Sequence, residues 1–276
     1  MTEIPPAPPR RRRSPPKPAS IVAVHPLTTR MVCVELGGPG LTGFESLVPA
    51  QHVKIFLPQP GQTAPSPVTW TPTGPRVPEG QPWPIVRTYT PRRWNSRHEV
   101  LEIEMLIHPG LGPAAQWAQR AAVGDAVAIG SPGGGYRLPA DASSLILAVD
   151  ETALPAAATI LENLPTGLAV QVLAEVGAAD DEVPLPVTPL TTVRWLARGD
   201  RPAGDVLTTA VRGLAVDERT AAFVAGEATA VRSIRKHLLD EAGLIRDRVV
   251  TRGYWKQGTV DHPDHDYGEE DVATRP

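Results

Sequence analysis

Pro84-Ile85-Val86-Arg87-Thr88-Tyr89-Thr90 reads as a strand that ends in chemistry. Alternation along a strand sends Arg87 and Tyr89 to one face and Thr88 and Thr90 to the other. A guanidinium is a permanent cation and suits a diphosphate. An aromatic ring offers a flat surface to a flat heterocycle, and a hydroxyl beside it can donate to a ring nitrogen. Four residues are a weak signal alone, and their weight comes from the segments around them.

From about Ala19 to Gly130 the chain reads as short strands broken by Gly and Pro: Ser20–Val24, Met31–Leu36, His52–Leu57, Ile85–Thr90, Val100–Ile107 and Ala126–Ile129. That rhythm favours a barrel or sandwich. Pro58 to Pro84 holds nine prolines. It is therefore neither helix nor central strand, and is expected to be a surface excursion between two paired strands. After about Leu138 the rhythm changes. Strands are expected at Leu145–Val149, Leu168–Val176, Val193–Leu196, Ala221–Ala225 and Val249–Tyr254. Helical spacing runs through Thr152 to Asn163, Asp205 to Val211 and Glu227 to Glu241. Strands alternating with helices imply parallel pairing with right-handed crossovers. The expectation is a β-barrel domain over residues 19–140, with a Pro-rich loop at 58–84, followed by an α/β Rossmann-like domain over 141–258. The crevice between them is the natural site for chemistry.

Bulk properties narrow the class. The chain has 276 residues, 41% of them hydrophobic, enough for two packed domains, and its net charge of −3 argues against general nucleic-acid binding. No apolar run approaches the roughly 20 residues of a membrane span. Met1 to Ser20 lacks the apolar core of a secretory signal. A single cysteine, Cys33, allows no internal disulfide and no cysteine-ligated cluster. A reduced, cytoplasmic setting is the expectation. The head, 1–18, carries Arg10, Arg11, Arg12, Arg13 and Lys17, and the tail, 259–276, is acidic. Both are expected to be disordered, because neither buries enough apolar surface to offset chain entropy.

Three further regions carry chemical signals. In His108-Pro109-Gly110-Leu111-Gly112-Pro113-Ala114-Ala115-Gln116-Trp117 the glycines let backbone approach a ligand. Pro113 suits the first turn of a helix whose N–H groups attract anions, although the same residues make an ordinary turn into a helix. Val149-Asp150-Glu151-Thr152-Ala153-Leu154-Pro155 lies at the carboxyl end of the first α/β strand, where open parallel sheets bind ligands. It is not a Gly-x-Gly-x-x-Gly loop, and Asp150 or Thr152 either caps the helix or meets the ligand. Ala225-Gly226-Glu227 is another strand-to-helix turn. Gly253-Tyr254-Trp255-Lys256-Gln257-Gly258 sets two aromatics and a cation at the last strand's end, for packing or for a ligand.

In this order the segments resemble the siderophore-interacting protein family of flavin-dependent ferric-siderophore reductases, over about Ala19 to Gly258. The resemblance implies the ferredoxin-reductase architecture, non-covalent FAD, NADH or NADPH as donor and a ferric siderophore as acceptor. By that resemblance Arg87 would neutralise flavin phosphate, with Thr88 in the same binding segment. Tyr89 would lie along the isoalloxazine or ribityl chain, and Thr90 near the N5 edge. Glu104, Met105, Leu106, Ile107 and His108 would add flavin contacts, and Ala114 and Ala115 would meet the diphosphate. Asp150 and Thr152 would lie on the nucleotide side of the crevice. Tyr254 and Trp255 would cover part of the flavin. Lys54 matches a basic family position that attracts the anionic siderophore, and Lys256 is a second. Family members usually carry Ser where this chain has Ala115, and often Gly where it has Val149; the excursion at 58–84 is also long. These departures bear on FAD affinity and donor choice, not on architecture.

The implied chemistry belongs to the cofactor. A nicotinamide gives a hydride, ferric iron takes one electron at a time, and ferrous iron is a poorer match for hard oxygen ligands. No protein acid or base is required, and none is expected. His52 and His108 are read as hydrogen-bonded structure rather than metal ligands, since the iron arrives already chelated. Glu175, ending the second α/β strand, is placed to accept from a ribose and to repel the extra phosphate of NADPH, a lean toward NADH. The protein is expected to be a monomer without membrane insertion. Two other readings stay open: a non-catalytic module that binds a ferric chelate, and a flavin reductase with another acceptor.

Overall fold

The computed structural model describes residues 14–44, 47–107, 112–259 and 262. The run Arg10–Arg13, residues 108–111 and most of the acidic tail lie outside them. The first half contains β1 (Lys17–Pro26), β2 (Met31–Gly37), β3 (Gln51–Leu57), β4 (Thr69–Thr71), β5 (Gly74–Arg76), β6 (Ile85–Tyr89), β7 (Pro91–Asn95), β8 (Val100–Leu106), α1 (Pro113–Arg120), β9 (Ala126–Ile129) and β10 (Gly133–Gly134). Its main sheet is antiparallel, in the order β10-β3-β9-β1-β2-β8-β7, with β6 pairing β3. β3 also meets β7, and β6 meets β8, so the sheet wraps around one apolar interior. Alternation aims it: along β8, Leu101, Ile103 and Met105 point inward and are fully enclosed. Each such side chain contributes about 1.5–3 kcal/mol by leaving water.

Most expected strands appear within a residue or two of their read bounds. β1 starts at Lys17, so the last residues of the expected head are in the sheet, with Lys17 opposite Ile129. The proline-rich excursion does join two paired strands, since Leu57 sits opposite Ile85. It also carries its own small hairpin, β4 with β5. Reading by pattern also missed β7 and the two-residue β10; β7 is the longer. It opens on a proline and runs through Arg92, Arg93 and Asn95, which is tolerable because it lies at the end of the sheet path.

The second half contains β11 (Ser144–Asp150), α2 (Leu154–Leu161), β12 (Ala169–Val176), β13 (Thr191–Ala197), α3 (Asp205–Arg212), β14 (Thr220–Glu227), α4 (Ala228–Lys236) and β15 (Val249–Trp255). The five strands are all parallel, ordered β13-β12-β11-β14-β15. Every residue of β14 is buried, as expected for a parallel strand covered on both faces. The last helix widens into a π turn over His237–Glu241 rather than running as α-helix to Glu241.

The halves are joined by more than a linker. Met31, Ala50 and Tyr136 of the first half pack into the core of the second beside Leu147 and Phe223. The Tyr136 and Phe223 rings meet edge-on, 5.4 Å apart. The buried amide of Ala50 donates to Thr159 Oγ1 at 3.0 Å. Arg92 forks onto both carboxylate oxygens of Glu162 at 2.9 Å each. Arg30 reaches Asp181 at 3.2 Å and Glu151 at 3.4 Å.

Candidate functional site

The β3–β6 register fixes where each side chain points. Tyr89 sits opposite Val53 and Arg87 opposite Ile55, both partners being in the barrel core; Thr88 sits opposite Lys54. Residues directly opposite share a face. Arg87 and Tyr89 therefore rise from the inner face at its rim, while Lys54 and Thr88 look the other way. Tyr89 is half-buried against the barrel core. Burial pushes its phenol above the ordinary range, against the opposing pull of Arg87. Arg87 directs one N–H to the Val86 carbonyl at 2.8 Å.

Thr90 is buried at the corner between β6 and β7. Its hydroxyl hydrogen-bonds that of Tyr254, which comes from the last strand of the other half. Burial raises the Tyr254 phenol as well, with the Thr90 bond and Arg252 acting against it. This bond brings the Arg87–Thr90 segment and the Tyr254-Trp255 pair to one seam.

α1 packs against both β6 and β8. Its first turn opens on Gly112 and Pro113, and among the described residues no side chain caps it. The amides of Ala114 and Ala115 thus lie at the positive pole of a helix, where an anion is favoured. Among the described residues, a side chain built on Gly112 would meet nothing within 4 Å. An uncapped helix start with open space, packed on the strand that carries Arg87, is a donor set that fits a diphosphate. With the flat phenol of Tyr89 and the Thr90 hydroxyl along the same strand, the residues present fit FAD. His108 lies outside the described residues.

The β8 side chains divide between two surroundings. The Met105 side chain is enclosed in the barrel core, so any contact it makes is through its main chain. Leu106 packs against the core of the second half. Glu104 lies 3.7 Å from Arg92 and lines a cavity of about 150 Å³ against Leu154 and Ala158 of α2. Burial raises its carboxyl, with Arg92 opposing. The Ile107 amide donates to the Arg30 carbonyl at 2.6 Å. Met105 and Ile107 share the barrel-core cluster with Tyr89, whereas Glu104 and Leu106 turn toward the second half.

At the carboxyl edge of the parallel sheet, Asp150 is 2% exposed and its carboxylate is a hub. Oδ1 accepts from the Thr152 amide at 2.9 Å and the Thr152 hydroxyl at 2.5 Å. Oδ2 accepts from the Glu227 amide at 2.9 Å and from the indole Nε1 of Trp255 at 2.8 Å. Burial and the neighbouring Glu151 carboxylate lift Asp150 to about 7, against the pull of its donors. Of the two readings of Asp150 and Thr152, the geometry contains the cap. Glu227 in turn caps α4 through Ala230 N, 2.9 Å, and accepts from Gln257 N at 3.2 Å, which steadies the chain after Trp255. Lys256 stands exposed beside it.

Glu175 requires a correction. It is 0% exposed. Its carboxylate accepts from Gly204 N at 2.7 Å, Leu207 N at 3.1 Å and Arg198 Nη1 at 3.0 Å. It holds the start of α3 and leaves no oxygen for a ribose. Reading by pattern also missed Arg30. Nothing in a turn sequence of Thr28-Thr29-Arg30 announces that the side chain will lie over Gly177 of the other half, where an added Cβ would stand 1.6 Å from its Nη1.

Comparison with known proteins adds the context. Residues 20–136 match the siderophore-interacting FAD-binding domain and residues 142–258 match the siderophore-interacting protein domain. The chain is 30% identical to the ferric vibriobactin reductase ViuB of Vibrio cholerae over 244 residues, 87% of this chain and 89% of that protein. It is 35% identical to the NADPH-dependent ferric-chelate reductase of Escherichia coli over 186 residues, 66% of this chain and 71% of that one. The crystal structure of a siderophore utilization protein from T. fusca superposes with a TM-score of 0.78 at 30% identity, covering 92% of this chain and 100% of the other. With both domain patterns matched in order across nearly all the described residues, the chain belongs to the siderophore-interacting protein family.

Proposed function

We propose that this protein is a FAD-dependent ferric-siderophore reductase that takes electrons from NADH or NADPH and releases iron as Fe(II). The observation that carries the reading is the seam at which the uncapped start of α1, the Arg87–Thr90 segment and Tyr254 meet. Relatives named as ferric reductases over most of their length support it.

Arg87 and the amides of Ala114 and Ala115 hold the diphosphate of FAD. Tyr89 lies along the ring or ribityl chain, Thr88 contributes through its main chain, and Thr90 stands at the reactive edge. Tyr254 and Trp255 cover the ring from the other half. The Asp150 bond keeps the Trp255 indole from swinging away. Bound FAD supplies the conversion between a two-electron donor and a one-electron acceptor. Lys54 and Lys256 draw an anionic chelate by complementary charge. NADH and NADPH are reductants of the cytoplasm, and the reaction belongs there, on a monomer.

The test is a spectrum. Purified protein, reconstituted with FAD, should show a bound-flavin band that bleaches when NADPH is added without oxygen. It should recover on addition of a ferric siderophore, with ferrous iron captured by a ferrous-specific chelator. Protein that binds no flavin under any condition overturns the reading.

A further inference from the structure

An open parallel sheet receives its ligand where successive connections leave in opposite directions. Here that place lies between the carboxyl ends of β11 and β14. A dinucleotide diphosphate seated there needs backbone N–H donors and a close, side-chain-free approach. The donors exist, but a carboxylate of the chain itself already takes them. Asp150 accepts from the amides of Thr152 and Glu227, from the Thr152 hydroxyl and from the Trp255 indole. Gly226 (φ +146°) lets the backbone pass so close that an added Cβ would stand 2.5 Å from that carboxylate. Pro155, in the first turn of α2, has no N–H to offer. The neighbouring strand end is closed in the same manner: Glu175 is bound to α3, and Arg30 of the barrel lies over Gly177 between Glu151 and Asp181.

We propose that Asp150 is a built-in occupant of the phosphate seat, so that the α/β half holds no dinucleotide diphosphate and a reduced nicotinamide nucleotide engages the protein through its nicotinamide end alone. The inference rests on the reading of the protein as an NAD(P)H-dependent flavoenzyme. NADH and NADPH differ only at the adenosine end, so this protein selects neither.

Two measurements on FAD-loaded protein decide it, at pH 8, above the value of about 7 to which burial lifts Asp150. Calorimetric titration with ADP-ribose and with 2′,5′-ADP is expected to give no saturable binding. Anaerobic flavin reduction by NADH, NADPH and reduced nicotinamide mononucleotide is expected to rise linearly with donor. The three second-order rates should agree within about threefold, because no remote binding energy is at stake. Saturable ADP-ribose binding overturns the proposal, as does a loss of about 30-fold on removing the adenosine half. Asp150→Ala, checked for fold by near-ultraviolet circular dichroism, is expected to gain binding of inorganic pyrophosphate; where that variant does not fold, the wild-type titrations decide alone. A flavin that no nicotinamide reduces sinks the donor reading, and the ADP-ribose titration still rules on the seat.

Discussion

The indole of Trp255 donates to Asp150 across 105 residues of sequence, at 2.8 Å. The bond ties the last strand of the sheet to the turn after the first. It also gives one carboxylate the work of holding an aromatic at the carboxyl edge of the sheet.

Replacing Arg87 by Ala removes a charge-assisted donor set. A loss of about 1.5–3 kcal/mol corresponds to roughly 10–100-fold weaker FAD binding. Titration of flavin fluorescence measures it, and an unchanged far-ultraviolet dichroism spectrum would assign the loss to the site.

Gly226→Ala should be strongly damaging. The backbone is in the left-handed half of conformational space, and the new methyl would press on the Asp150 carboxylate. Destabilisation of more than about 3 kcal/mol is expected, read by urea unfolding. Gly177→Ala displaces a long side chain rather than backbone, and about 1–3 kcal/mol is expected as Glu151 and Asp181 lose Arg30. In an Arg30→Ala background most of that second loss should vanish.

The Arg92–Glu162 fork couples the two halves, but the Glu162 side chain is 35% exposed. A double-mutant cycle on the alanine variants should return about 0.5–1 kcal/mol rather than the value of a buried pair. The coupling should shrink in high salt.

Asp150 is lifted to about 7 in the folded chain from an ordinary 3.8. Between those values the folded state keeps a proton that the unfolded state has released, so stability falls as pH rises through the window. Asp150→Asn should flatten that part of the profile, measured as denaturation midpoints from pH 4 to 7.5.

Cys33 is buried, and desolvation followed by Glu102, Glu104 and Glu35 lifts its thiol to about 12. Only the thiolate reacts. A chromogenic disulfide reagent at pH 8 should find no thiol in the native protein and one equivalent in guanidinium. Rapid native reaction would contradict the enclosure of β2.

The sequence carried the architecture because strand alternation and strand–helix rhythm are local. β8 and β14 are legible from seven or eight residues each. Pairing chemistry is not local. The reading of Glu175 as a ribose acceptor failed because the N–H groups that use it belong to Gly204 and Leu207, some thirty residues on. Arg87, Thr88, Tyr89 and Thr90 were readable as a set because one strand holds them. Which of their neighbours shares a face with them needed the β3 register, and it placed Lys54 with Thr88. β7 was hidden because its pairing on β8 tolerates a proline and two arginines that no strand pattern favours.

Tyr136 lies against Phe223 inside the second half's core, together with Met31 and Ala50. The second half's interior is therefore incomplete without the first, while the barrel core is its own. A chimera cut near residue 140 would graft one relative's barrel onto another's sheet with a mismatched plug. Exchange of the C-terminal portion among relatives should yield well-behaved hybrids only when the residues at positions 31, 50 and 136 travel with it.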